Sequence, residues 1–98
     1  MKKYCIDIDG TICTNTNGNY EKAEPFPDRI EQINQLRKEG NKIILFTARG
    51  TSSGIDWEEV TKTQLNKWGL FYDELLFGKP EADIFIDDKA EDVFKWFI

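Results

Sequence analysis

Two aspartates stand two positions apart in the stretch CIDIDGT, residues 5–11. Asp7 and Asp9 alternate with Ile6 and Ile8, and Gly10 and Thr11 follow at once. Farther along, Thr47 closes the apolar run KIILFT and Arg49 comes just after it. Lys79 sits between Gly78 and Pro80, and Asp87 and Asp88 follow the run ADIFI. Singly, each has an ordinary structural reading. Asp-Gly makes turns, threonine favours strands, a lysine between glycine and proline is a turn lysine, and Asp88 with Glu91 fits a helix cap. Brought together they could do chemistry. Carboxylates grouped at a buried edge are unfavourable unless something compensates their charge. A hard divalent cation with oxygen ligands does so, and magnesium typically takes one or two carboxylates together with water and a substrate phosphate.

Whether they meet depends on the elements that carry them. Residues 3–8 read as a strand, and the polar stretch 10–26 as a loop or small hairpin. Residues 28–40 read as a helix: Ile30, Ile33 and Leu36 make its apolar stripe, Asp28 and Glu31 suit its start, and Gly40 its end. Residues 42–47 are almost unbroken apolar sequence, as in a strand covered on both faces. After a loop at 48–55, residues 56–69 read as a second helix, with Asp56 and Glu59 at its start. Trp57, Val60, Leu65 and Trp68 form its buried side, and Gly69 its end. Short strands follow at 73–77 and 82–86, then a last helix at 89–98, expected to cover one face of the sheet.

Alternation of strands and helices, with continuously apolar strands, predicts a mainly parallel sheet of about four strands with helices on both faces. In such sheets ligands bind beyond the carboxyl ends of the strands. Asp7, Asp9, Thr47, Arg49, Lys79, Asp87 and Asp88 all lie at or just past a predicted strand end, so all are expected at one edge.

Composition narrows the classes. The 98 residues suffice for one domain with one core. Seven phenylalanines, three tyrosines and three tryptophans with only three prolines argue for a compact fold. A net charge of −5 weighs against indiscriminate binding to nucleic acid or anionic membranes. The absence of histidine removes Cys/His nucleophile pairs and histidine-rich zinc sites. Cys5 reads as a small core residue and Cys13 as a loop residue, not as a disulfide framework. No apolar stretch reaches the length of a membrane span or a signal peptide, so a cytoplasmic location is expected.

The four segments together resemble the haloacid dehalogenase (HAD) superfamily. DIDGT at 7–11 is similar to its first motif, Asp-x-Asp-x-Thr. Thr47 is similar to the second, Lys79 before Pro80 to the third, and IDD at 86–88 to the fourth. All four stand in the family's order. The resemblance implies a three-layer Rossmann-like fold with strand order 3-2-1-4, and hydrolysis of a phosphomonoester through an aspartyl-phosphate. It implies Asp7 as nucleophile and Asp9 as general acid and base. Thr47, Lys79 and backbone N–H groups around Ile8–Gly10 would hold the phosphoryl oxygens. Mg2+ would lie on Asp7, the Asp9 carbonyl oxygen and the pair Asp87 and Asp88, with Asp88 as the expected direct ligand. Aspartate at position 9 marks the phosphatase branch.

The spacings leave no room for a cap domain, only for a small flap at about 12–25, so a single capless domain over residues 1–98 is expected. Short capless members with TAR and GKP at these places resemble small phosphatases of bacterial capsule or polysaccharide biosynthesis. That implies a sugar or polyol phosphate as substrate. Arg49 has two readings: a ligand for a second anionic group of the substrate, or an ordinary arginine, either on the surface or paired with a nearby acid. A catalytically idle metal- and phosphoryl-binding module, a phosphatase of macromolecules and a receiver-like signalling domain are the competing functions. Oligomeric state is left open.

Overall fold

In the computed structural model, residues 1–50, 53–77 and 84–86 are described. Strands β1 (Lys3–Asp7), β2 (Lys42–Thr47), β3 (Glu74–Phe77) and β4 (Ile84–Ile86) form a single sheet in the order β3-β2-β1-β4. All three pairings are parallel, with Ile6 beside Leu45 and Ile86, and Thr47 beside Phe77. The α/β class and the strand order are those expected. The helix expected at 89–98 lies outside the described residues.

Helices α1 (Pro27–Lys38) and α2 (Glu58–Lys67) follow β1 and β2. The pleat divides β2 between two clusters, as its unbroken apolar run requires. Ile43 and Leu45 join Ile6, Ile8 and Ile86 in the larger cluster, together with Ile30 and Ile33 of α1 and Leu65 of α2. Ile44 and Phe46 face the other way, with Cys5 and Leu76.

The helix starts differ in detail from expectation. Pro27 opens α1, as suits a residue with fixed φ and no N–H, and Asp28 falls in the first turn, not at the cap. Asp56 does serve the start of α2: its carboxylate accepts the Glu58 N–H at 2.9 Å. On α2, Leu65 is buried while Trp57, Val60 and Trp68 are half-buried. Thr61, which no apolar pattern marks, is fully buried.

At the amino edge of the sheet, Asp73 joins three elements. Its carboxylate accepts the Ile43 N–H at 2.8 Å and an Arg37 N–H at 3.1 Å. Its own N–H donates to Ile43 O at 2.8 Å. The Ile43 N–H, first, and Arg37 hold the Asp73 carboxyl below its usual range.

Candidate active site at the carboxyl edge of the sheet

β1 delivers Asp7 to the carboxyl edge, beside Phe46 of β2. The chain then turns sharply. Ile8 O accepts the N–H groups of Thr11, Ile12 and Cys13, and Gly10 takes a φ of 86°, which glycine reaches without strain. Arg29 of α1 donates to Thr11 O at 2.9 Å and braces the turn from below. Two of the turn's amides are committed: Ile8 N–H donates to Phe46 O and Gly10 N–H to Cys13 O, at 3.2 and 2.8 Å. The Asp9 N–H has no acceptor among the described residues. The amides of Ile8 and Gly10, expected to face an anion, thus already have backbone acceptors.

Two positions past Asp7, the Asp9 side chain is 17 % exposed and is met by Arg49. Arg49 Nε donates to Asp9 Oδ2 and Nη2 to Oδ1, each at 2.9 Å, a bidentate fork. Thr47, at the end of β2, donates its hydroxyl to Asp9 Oδ2 at 3.4 Å and accepts the Arg49 backbone N–H at 3.1 Å. So the structure brings Asp9, Thr47 and Arg49 together beside Asp7.

Of the two readings of Arg49, the one seen is the pair with an acid. The residue is 2 % exposed, so its guanidinium does not face solvent as a substrate ligand. Nη1 donates to Thr61 Oγ1 at 3.0 Å and to Gln64 Oε1 at 2.6 Å. Nη2 also reaches Cys13 Sγ at 3.9 Å. The ring of Tyr20 lies 4.7 Å from the guanidinium carbon, close enough for a cation–π contact, and packs edge-on against Trp57.

Sequence reasoning missed Thr61, Gln64 and Cys13 as parts of this cluster. One signal was available: Thr61 stands four positions before Leu65, on the same helix face, a polar residue in the buried stripe. Cys13 is buried and not in open loop, because the turn folds Ile12 and Cys13 back onto the sheet end. Burial first, then the negative charge of Asp9, pushes its thiol up to about 12.

Residues 12–25, expected to form a flap, make a strip of irregular backbone after β1. Thr14 N–H donates to Glu24 O, Cys13 pairs with Pro25, and the strip carries one 3-10 turn at Tyr20–Lys22. Asn15, Asn17 and Asn19 are exposed on it. A groove of about 200 Å³ opens between Tyr20 and Trp57 and the segment bearing Ala48, Gly50, Ser53 and Ile55. β3 and β4 end at the same edge of the sheet, but Lys79, Asp87 and Asp88 lie outside the described residues. Among the described residues no three acidic, cysteine or histidine side chains group to hold a metal ion.

The chain superposes on a structural-genomics target from Vibrio cholerae with a TM-score of 0.78 and 30 % identity. The match covers 99 % of this chain and 88 % of that one. It also matches D,D-heptose 1,7-bisphosphate phosphatase from B. bronchiseptica, solved with magnesium and phosphate. There the TM-score is 0.60 and the identity 18 %, over 85 % of this chain and 52 % of that one. A protein from Mesorhizobium loti described as a HAD-like phosphatase gives 0.59 and 20 %, over 80 % and 43 %. This is the fold of the HAD-like phosphatases. The chain belongs to one family with the Vibrio cholerae protein, and with the other two it shares the HAD fold. No protein-family model and no curated protein matches the sequence. In the HAD fold found here, the carboxyl edge that carries Asp7, Asp9 and Thr47 is the edge where an open parallel sheet binds its ligands.

Proposed function

We propose that the chain is a magnesium-dependent phosphomonoesterase working through an aspartyl-phosphate, with a small sugar or polyol phosphate as substrate. The observation that carries this is the placement of Asp7 at the end of β1, with Asp9 and Thr47 beside it at the carboxyl edge of a HAD fold. In this reading an Asp7 carboxylate oxygen bonds to phosphorus as the bond to the leaving oxygen breaks, and Asp9 gives that oxygen its proton. Water then attacks the aspartyl-phosphate, Asp9 takes the water's proton, and phosphate leaves with Asp7 restored. Thr47 and Lys79 hold the transferring oxygens, with the amide of Asp9.

The donors at hand suit magnesium. The Asp7 carboxylate and the Asp9 carbonyl oxygen, which accepts no backbone N–H among the described residues, are hard oxygen ligands. Asp87 and Asp88 would complete the set. Bound there, the ion would offset the repulsion between carboxylate and phosphate.

The groove between Tyr20 and Trp57 is lined by no charged side chain among the described residues. That suits the neutral, hydroxyl-bearing part of a sugar or polyol phosphate. The connection from β1 to α1 holds only the flap, and that from β2 to β3 holds α2, which supports a capless site. A cytoplasmic place among the enzymes of surface-polysaccharide synthesis fits such a substrate.

The test is turnover of p-nitrophenyl phosphate and of a panel of sugar and polyol phosphates, with and without Mg2+. Metal-dependent release of phosphate is expected, and Asp7→Asn should abolish it while the variant stays folded. Full turnover by Asp7→Asn would end the assignment of Asp7. No turnover of any phosphomonoester by the wild type would leave the idle binding module in its place.

A further inference from the structure

The proton-carrying aspartate of this site does not stand alone. An arginine has five N–H donors in a rigid fork. In Arg49 every one of them is directed at an acceptor: two at the Asp9 carboxylate, one at Thr61, one at Gln64 and one at Cys13. The acceptors come from three parts of the chain: the turn after β1, the far side of that turn, and α2. Gln64 is itself held, its Nε2 donating to Tyr20 O at 2.6 Å. Tyr20 covers one face of the guanidinium.

We propose that Arg49 is a positioning residue that sets the plane and rotamer of Asp9, with Thr61, Gln64 and Tyr20 as its frame. A carboxylate has about four lone-pair directions. Arg49 takes one on each oxygen, and the fork fixes the plane in which both lie. Thr47 takes a further one on Oδ2, at a longer 3.4 Å. Cys13 Sγ stands 3.7 Å from Oδ1 and 3.6 Å from Ile8 O. Its one S–H, given to Ile8 O, leaves a place on Oδ1, on a side chain still 17 % exposed, to carry a proton to or from a bound substrate. A lysine at position 49 could keep the charge but not the fork, since an ammonium is a point donor. The inference rests on the role of Asp9 in the proposed reaction.

The experiment compares kcat/KM for two probes in the presence of Mg2+. p-Nitrophenyl phosphate expels a leaving group stable as an anion, whereas glycerol 1-phosphate expels an alkoxide that must be protonated. Asp9→Asn sets the scale. In Arg49→Lys, misplacement of Asp9 should lower kcat/KM on glycerol 1-phosphate by about 10–100-fold. The value on p-nitrophenyl phosphate should fall far less. In the Asp9→Asn background the Arg49→Lys substitution should add nothing further.

Equal losses on both probes, or full additivity in the double variant, would overturn the proposal, as would a change confined to KM. If Arg49→Lys does not fold, Thr61→Val, which removes one acceptor from Nη1, should shift the ratio between probes in the same direction. An unchanged ratio in that variant counts against Arg49. Should the wild type turn over neither probe, the phosphatase reading fails by itself. A crystal structure of Arg49→Lys then decides the geometry: Asp9 turned to a new rotamer supports the positioning role, and Asp9 unmoved refutes it.

Discussion

Asp7 and Asp9 are the same chemical group in the same turn, yet their surroundings differ. Asp7 ends a strand, whereas Asp9 is gripped by Arg49 and touched by Thr47 and Cys13. In the proposed reaction that environment would suit Asp9 to carry the proton while Asp7 attacks. The turn that follows them depends on Gly10, whose φ of 86° disfavours any side chain with a β-carbon. Gly10→Val should therefore lower both stability and turnover, seen as a lower melting temperature in the same preparation that loses activity. Cys13 offers a test of burial at the site. With its thiol pushed up to about 12, it stays protonated at pH 8. Both free cysteines are buried, so a thiol-specific reagent should label neither in the native protein and both after unfolding. Rapid native labelling would show that the turn opens.

The elements of this fold are joined by polar clamps as well as by apolar contact. Asn34 of α1 donates to Gly69 O and accepts Phe71 N–H, both at 2.9 Å, and so fixes the loop that leads from α2 to β3. Asp73 does the same for the start of β3. Its carboxyl is held below the ordinary value, so the stability it contributes is present above pH 3.8, and is lost as pH falls through its lower native value. The side chain is 31 % exposed, and the clamp is worth about 1 kcal/mol after allowance for solvent. Asp73→Asn should be less stable than wild type by that order at pH 7 in denaturant titrations. The difference should vanish as the pH is taken well below 3.8. A constant difference at all pH values would assign the loss to packing instead. In the loop after β2, a Cβ at Gly50 would collide with the Ile55 carbonyl. Any side chain there must displace the segment that lines the groove beside Trp57.

At the scale of the molecule, a domain of this size has a folding free energy of about 5–15 kcal/mol and one principal core. Leu45 lies at the centre of that core, between α1, α2 and the strands. Leu45→Ala should remove about 2–5 kcal/mol, a large part of the total, and lower the denaturation midpoint accordingly. A loss under about 1 kcal/mol would mean that the neighbouring helices collapse into the space. Both α1 and α2 meet the sheet on the face that holds Leu45. Core and site are thus coupled through α2, which buries Leu65 in the one and extends Thr61 and Gln64 to the other.

The sequence alone determined the elements and their order, because apolar periodicity, turn glycines and strand-end polar residues are local signals. A β2 apolar on both faces implied a buried parallel strand and a shared carboxyl edge, whereas the strand order came from the resemblance to the HAD superfamily. Residues such as Asp9 and Thr47 could be placed on that edge by chain position alone. Only the tertiary structure decided what Arg49 does. Its partners Asp9, Thr61 and Gln64 lie 40, 12 and 15 positions away. No local pattern links them, and the choice between a free guanidinium and a buried fork depends on whether α2 packs close enough to cover it. Only the structure showed, too, that the amides of Ile8 and Gly10 are already hydrogen-bonded. A turn's direction can be read from Asp-Gly, but its hydrogen bonds are set by the strand and loop that pack against it.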